Sequence, residues 1–374
     1  MIRSFTARIP QDLLEDLKQK ISVTRWPDEI PESGWHYGSS MAYMKALANY
    51  WLHRFDWRKT ESHINAYPNF IADIDNHQLH FMHIKGKGAK SFPLLVTHGW
   101  PGSFMEMMPL IPLLTENPQF SFDLIIPSIP GFGFSPAVTQ PGMNSQRIAD
   151  LWCKLMLKLG YTAFGAQGGD LGAGISIALA KSYPQYVKAL HLNYIPSSCL
   201  PVLNEGEQLT HEENEYRKRQ QQWVTDEGAY AHIHATKPLT LAYGLNDSPM
   251  GLCAWIVEKY NSWSDNGGSI ENCFSKEQLL ATVTLYWVTQ TIHSSTRLYY
   301  ENSKSPFQLN PGEKIKTPTG IAQFPQELNF PPRSLAQRVF NIQHWSTFNK
   351  GGHFAAMEQP RLLADDITRF FTNL

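Results

Sequence analysis

The chain has 374 residues, with 32 Lys and Arg against 33 Asp and Glu, and a formal charge of −1 at neutral pH. That balance gives no footing to nucleic acid or to an anionic membrane surface as a partner. At this length the chain holds either one large core with an insertion or two ordinary domains. Charged residues make up only 17% and aromatics 12%, a composition suited to an apolar pocket under an aromatic cover.

The four cysteines, Cys153, Cys199, Cys253 and Cys273, are scattered without a Cys-x-x-Cys or a zinc spacing. Reduced thiols and a cytoplasmic location are the expectation. A membrane-spanning helix needs about 20 apolar residues, and no such run is expected here.

Residues 1–60 read as a meander. Within it, residues 12–20 have the pattern of an amphipathic helix, and residues 39–53 that of a second, with Tyr43, Leu47, Tyr50 and Trp51 near one face. Residues 61–195 read as the first half of an α/β core. Residues 94–97 form an apolar run with the character of a buried strand. It leads into His98-Gly99-Trp100-Pro101-Gly102-Ser103, where His98 is read as a structural histidine bracing a tight turn. Residues 123–127 are a further strand, followed by Pro130-Gly131-Phe132-Gly133-Phe134-Ser135.

Residues 163–167 are short, small and apolar, as a buried parallel strand can be. Gly168-Gly169-Asp170-Leu171-Gly172 follows, and then a helical run over residues 171–180. The spacing small-x-nucleophile-x-small is that of a nucleophile elbow, whose usual central residue is serine. Here it is Asp170. A carboxylate attacking an ester would yield an anhydride, so acyl transfer is a poor use for it. Attack on a saturated carbon yields an alkyl ester, which points to epoxide opening or halide displacement. The helix N-terminus favours an anion at this position. Taken alone, the pentapeptide also fits a glycine-rich turn with an aspartate N-cap.

Ile195-Pro196 opens an insertion, residues 196–304, that reads as a helical lid. Residues 279–299 are its longest expected helix. Trp223, Trp255, Trp263 and Trp287 fall within it and are expected mostly as core. The core resumes over residues 305–374. Residues 319–323 form a strand ending in Phe324-Pro325-Gln326-Glu327, and residues 338–342 a final strand. Gly351-Gly352-His353-Phe354-Ala355-Ala356 follows. The chain order nucleophile, acid, histidine is met by Asp170, Glu327 and His353. Asp365 and Asp366 come later and read as helix surface; Glu313 precedes the strand and reads as solvated.

Together these motifs resemble the microsomal-type epoxide hydrolases, a group that includes the insect juvenile-hormone epoxide hydrolases, over nearly the whole chain. The resemblance runs from Phe5-Thr6-Ala7-Arg8-Ile9-Pro10 and Thr24-Arg25-Trp26-Pro27 through His98-Gly99-Trp100-Pro101-Gly102-Ser103-Phe104 and Gly168-Gly169-Asp170. It continues with Lys237-Pro238 and residues 245–252, and ends at residues 351–356. It implies an α/β-hydrolase fold: a mostly parallel central sheet flanked by helices, with a helical lid and an N-terminal meander. It implies an ester on Asp170, hydrolysed by water that His353 activates and Glu327 orients. Trp100 and Leu171 would supply the backbone N–H groups of the oxyanion hole. Two lid tyrosines would grip the epoxide oxygen. One matches Tyr230; the other matches Tyr299, with Tyr300 beside it as the alternative.

The implied substrate is a small hydrophobic epoxide, with water as co-substrate and neither a metal nor an organic cofactor. Several animal members carry an N-terminal membrane anchor, whereas here the meander begins almost at Met1. That contrast leads to the expectation of a soluble bacterial or fungal enzyme. Two other readings share the fold. A haloalkane dehalogenase would use the same nucleophile and needs halide-binding N–H donors, often from a tryptophan just after it, where this chain has Leu171. A non-catalytic small-molecule receptor would tolerate loss of the nucleophile or the histidine, and both residue types are present.

Overall fold

The computed structural model describes residues 1–202 and 206–374. Its centre is one sheet of nine strands: β1 (Ile2–Phe5), β2 (Asn69–Ile74), β3 (His77–Ile84), β4 (Lys90–Thr97), β5 (Phe120–Pro127), β6 (Phe164–Gly168), β7 (Val187–Leu192), β8 (Ile315–Gln323) and β9 (Phe340–Thr347). The spatial order is β1-β2-β3-β5-β4-β6-β7-β8-β9. Strands β1, β2, β3 and β5 pair antiparallel in turn, and every pairing from β5 to β9 is parallel. This is the mostly parallel sheet expected. Its central strands are buried on both faces; Leu94, Leu95, Val96, Phe164 and Ala166 have no exposed surface. Parallel strands covered by helices on both sides need such apolar runs.

The sequence order reverses at β4, flanked by β5 and β6. In an open α/β sheet a crevice forms outside the carboxyl ends of the strands at such a point. The loops after β4 and β6 carry His98-Gly99-Trp100-Pro101 and Gly169-Asp170. The topology alone therefore brings these two loops together.

Among the described residues, six α-helices between β7 and β8 form the insertion over that crevice: His211–Glu227, Ala229–Thr236, Pro238–Leu245, Pro249–Ser262, Lys276–Thr289 and Ile292–Lys304. Capping boxes start two of them, Thr210 with Glu213 and Ser275 with Gln278. Each satisfies backbone N–H groups that a helix start leaves free. The single helix expected over residues 279–299 is instead two. Gln290 takes a left-handed conformation, φ 52°, and closes the first helix by donating to Trp287 and Tyr286 carbonyls. The β-branched Thr289 and Thr291 on either side make a weak helical context. The break redirects the chain so that Tyr299 comes to lie over the crevice.

The helical segment that follows β1, residues 11–65, packs against the lid. Ser39 Oγ donates to the Ala254 carbonyl at 2.7 Å, and Trp51 Nε1 to Thr284 Oγ1 at 3.0 Å. Tyr50 hydrogen-bonds Glu277. Helices in this segment span Gln11–Ser22, Met41–His53 and Trp57–Asn65, the last two capped by Ser40 and Asp56.

One carboxylate departs from its expected place. Asp366 was expected at a helix surface but is 1% exposed. The helix Pro360–Thr372 turns it inward, where it accepts from His191 Nε2 at 3.0 Å and lies 2.7 Å from His344 Nε2. Ser346 Oγ donates to it at 2.5 Å. These partners stand on β7 and β9, so nothing adjacent in sequence signals them. They hold the Asp366 carboxyl at about 2, against desolvation. Asp365 is exposed, and Glu313 pairs with Lys181 at 3.0 Å.

Candidate active site

Asp170 begins the helix Asp170–Ser182 with φ +47°. A non-glycine residue in this region stores about 1–3 kcal/mol of strain. The turn is held because its neighbours are glycines. A Cβ on Gly172 would collide with the Thr97 carbonyl, and one on Gly99 with the Asp170 side chain. Strand, loop and helix therefore approach closely enough to push the carboxyl into the crevice.

Trp100 N–H donates to Asp170 Oδ1 at 2.7 Å. Leu171 lies in the first helical turn, where backbone N–H groups have no intrahelical acceptor. Of the two groups expected for an oxyanion hole, Trp100 N–H thus lies against the carboxyl, and Leu171 follows Asp170 in the same helical turn. His98 is fully buried. Its Nε2 accepts from Ile129 N–H at 3.2 Å and its Nδ1 meets the Gly99 carbonyl at 3.0 Å. It braces the turn, and burial lowers its pKa to about 4.

His353 Nε2 lies 3.4 Å from Asp170 Oδ2. Its Nδ1 lies 2.5 Å from Glu327 Oε1, which also accepts from Leu328 N–H at 2.7 Å. Glu327 leaves the end of β8 and His353 the loop after β9, so adjacent parallel strands deliver the pair. Both side chains are buried. Burial raises the Glu327 carboxyl above its usual range. Burial alone would lower His353, but the Glu327 charge and the bonds to Asp170 and Glu327 outweigh it and hold the ring well above 6.5.

Tyr230 and Tyr299 close the crevice from the lid side. Their ring centroids are 5.9 Å apart. Tyr230 stacks on Trp100 at 5.4 Å, and Tyr299 meets the same indole edge-on at 6.1 Å. Desolvation first, and Asp170's charge in addition, keep both phenols protonated far above neutral pH. Tyr300 instead lies under the Lys304 ammonium, 5.1 Å from its ring. Of the two neighbouring tyrosines, Tyr299 is the one that faces Trp100 and Tyr230.

The structure adds residues that sequence reasoning did not assign to the site. Glu358 clamps the histidine loop: Oε1 accepts from Phe354 N–H at 2.9 Å, Oε2 from Gly352 N–H at 3.0 Å and Asp265 N–H at 2.8 Å. Its position five residues after His353 was visible, but not its direction. Trp263, expected as core, is buried, and its carbonyl accepts from His353 N–H at 2.9 Å. Tyr194 meets the His353 ring edge-on at 5.7 Å. Lys259, only 7% exposed, lies 5.1 Å from the Tyr230 ring. A lone lid lysine carries no signal of such a place.

Comparison with known proteins identifies the family and the fold. The family model described as the epoxide hydrolase N terminus matches residues 2–107, and that of the alpha/beta hydrolase fold matches residues 93–360. A putative epoxide hydrolase of Stigmatella aurantiaca is 40% identical over 382 residues, covering 100% of this chain and 85% of that protein. Epoxide hydrolase 1 of Oryctolagus cuniculus is 37% identical over 401 residues, covering 99% of this chain and 88% of its own. The crystal structure of juvenile hormone epoxide hydrolase from Bombyx mori superposes with a TM-score of 0.88 at 30% identity, covering 100% of this chain and 94% of that one. The chain belongs to the epoxide hydrolase family, built on the α/β-hydrolase fold.

Proposed function

We propose that this protein opens hydrophobic epoxides to vicinal diols through an ester on Asp170. The observation that carries the reading is the setting of one carboxylate. Oδ1 is held by Trp100 N–H, Oδ2 faces His353 Nε2, and two protonated phenols close the same crevice. This setting suits a nucleophile: one oxygen is fixed by a backbone donor, and the other is held beside the base inside the crevice.

An epoxide has ring strain but a poor leaving group. Tyr230 and Tyr299 hydrogen-bond its oxygen, and one of them gives up its proton as the C–O bond breaks. Asp170 Oδ2 bonds to the ring carbon at the same time. The ester removes Asp170's negative charge, one of the two charges that hold His353 protonated. With that charge gone the imidazolium yields its proton more readily; that proton restores the tyrosine that gave up its own, and the neutral ring becomes a base. His353 then takes a proton from water through Nε2, and the hydroxide oxygen attacks Asp170 Cγ. Trp100 and Leu171 N–H groups hold the developing oxyanion, each such donor contributing on the order of 3 kcal/mol. The ester C–O bond breaks, and the diol oxygen recovers the proton. Glu327 keeps the ring oriented and stabilises its charge.

The test separates the two half-reactions. Asp170→Ala abolishes diol formation, and His353→Gln lets the alkyl-enzyme accumulate. Intact-protein mass spectrometry after mixing with an aryl epoxide reads the adduct. A His353→Gln enzyme that turns over with no adduct at any time rejects the ester mechanism.

A further inference from the structure

Tyr194 is a third phenol beside the catalytic residues, and ester formation and hydrolysis give it no part. It stands two residues past the end of β7, just before Ile195-Pro196 and the lid. Strand β7 flanks β6 on the side opposite β4. Asn193 ties this segment to the elbow: its Oδ1 accepts from Gln167 Nε2 at 2.8 Å, and its side-chain amide fills the space that a Cβ on Gly169 would take. Tyr194 is thereby held close to Asp170, and its ring meets the His353 ring edge-on at 5.7 Å. Burial first, and then the charges of Asp170 and Glu327, raise its hydroxyl well above 10. The phenol therefore stays a hydrogen-bond donor through the working pH range. Tyr194 is half-buried, and among the described residues its hydroxyl has no hydrogen-bond partner. A tyrosine withdrawn from water ordinarily finds one. An unpaired donor beside the nucleophile is a place for an oxygen of the ligand.

We propose that Tyr194 is a specificity-determining residue: its hydroxyl donates to an acceptor oxygen on the substrate, so the enzyme favours epoxides that carry an ether oxygen close to the ring, such as aryl glycidyl ethers. The inference rests on the epoxide reading above and names its substrate class. Tyr230 and Tyr299 both lie against Trp100 and draw the epoxide oxygen to the β4 side. With Asp170 Oδ2 on the attacked carbon, the remaining substituent extends to the β7 side, where Tyr194 stands. A donor held beside Asp170 reaches only atoms near the ring, so the acceptor it selects is one or two carbons away. The aryl group beyond it suits the aromatic cover. No bond to Tyr194 forms or breaks, and it keeps its proton throughout.

The test compares wild type with Tyr194→Phe on two probes: phenyl glycidyl ether, and its carbon analogue in which a methylene replaces the ether oxygen. Each substrate is compared with itself across the two enzymes, so the difference in their intrinsic reactivity cancels. In Tyr194→Phe, kcat/KM for the ether falls roughly two- to tenfold, the loss of one neutral hydrogen bond. The fall lies in KM with kcat kept, because the ether oxygen is bound alike in the ground and transition states. For the analogue kcat/KM does not fall, since that substrate offers the hydroxyl nothing to bind. The phenyl ring keeps its edge contact with His353, so the analogue also reports an intact fold and an intact base. Wild-type values for both substrates overturn the inference. So does an equal fall for both, which marks a structural role, or a fall for the ether confined to kcat. A wild-type enzyme that converts neither probe to a diol overturns the epoxide reading instead, a distinguishable result.

Discussion

Replacing Glu327 with glutamine isolates the support given to His353. The bond between Glu327 Oε1 and His353 Nδ1 is 2.5 Å long, and the residues are 7% and 4% exposed. A charge-assisted hydrogen bond of this kind contributes about 1.5–3 kcal/mol. Its removal also leaves the imidazolium without its buried counter-ion, a change that costs about 3–5 kcal/mol when a buried pair is broken. The isosteric amide keeps one acceptor oxygen, so the lower part of these ranges applies. Ester hydrolysis is expected to slow by roughly a hundred- to a thousandfold. Ester formation changes little, because Trp100 N–H holds Asp170 independently of Glu327. Loss of the anion lowers the His353 pKa, so the acid limb of the hydrolysis rate moves to lower pH. Rapid quenching and mass spectrometry of the peptide containing Asp170 read both steps across pH. A variant that hydrolyses its ester at the wild-type rate with an unmoved acid limb refutes the role given to Glu327.

Tyr230→Phe and Tyr299→Phe each slow ester formation by roughly ten- to a hundredfold, the loss of one hydrogen bond to a developing alkoxide. Tyr300→Phe leaves it unchanged, because that ring lies under Lys304; stopped-flow alkylation kinetics decide between them. Asp366→Asn lowers stability at neutral pH by about 2 kcal/mol, from a carboxyl held at about 2 against an ordinary 3.8. A depressed carboxyl stabilises the fold above its unfolded pKa and loses that contribution as pH falls through the folded one. The gap in Tm between wild type and variant therefore closes between about pH 4 and pH 2; a gap that stays constant there removes Asp366 from this role.

The sequence by itself determined the parts of this protein that depend on short-range geometry. The elbow was legible because a turn that crowds β6 against its helix admits glycine alone at Gly172 and sets Asp170 at its apex. The two loops meeting at Asp170 followed from strand order, since motifs at the ends of neighbouring parallel strands converge on one edge. Glu327 and His353 were legible for the same reason. The tyrosines were not: seven fall within residues 196–304, and only similarity to a family singled out Tyr230 and Tyr299. Tertiary structure alone decided what long-range packing controls. The inward turn of Asp366 towards β7 and β9 depends on His191, 175 residues away, and on His344 and Ser346, 22 and 20 residues away. A local pattern records which face of a helix is apolar, but not which charged group the fold will bury against it, because that choice is made by the element packed opposite.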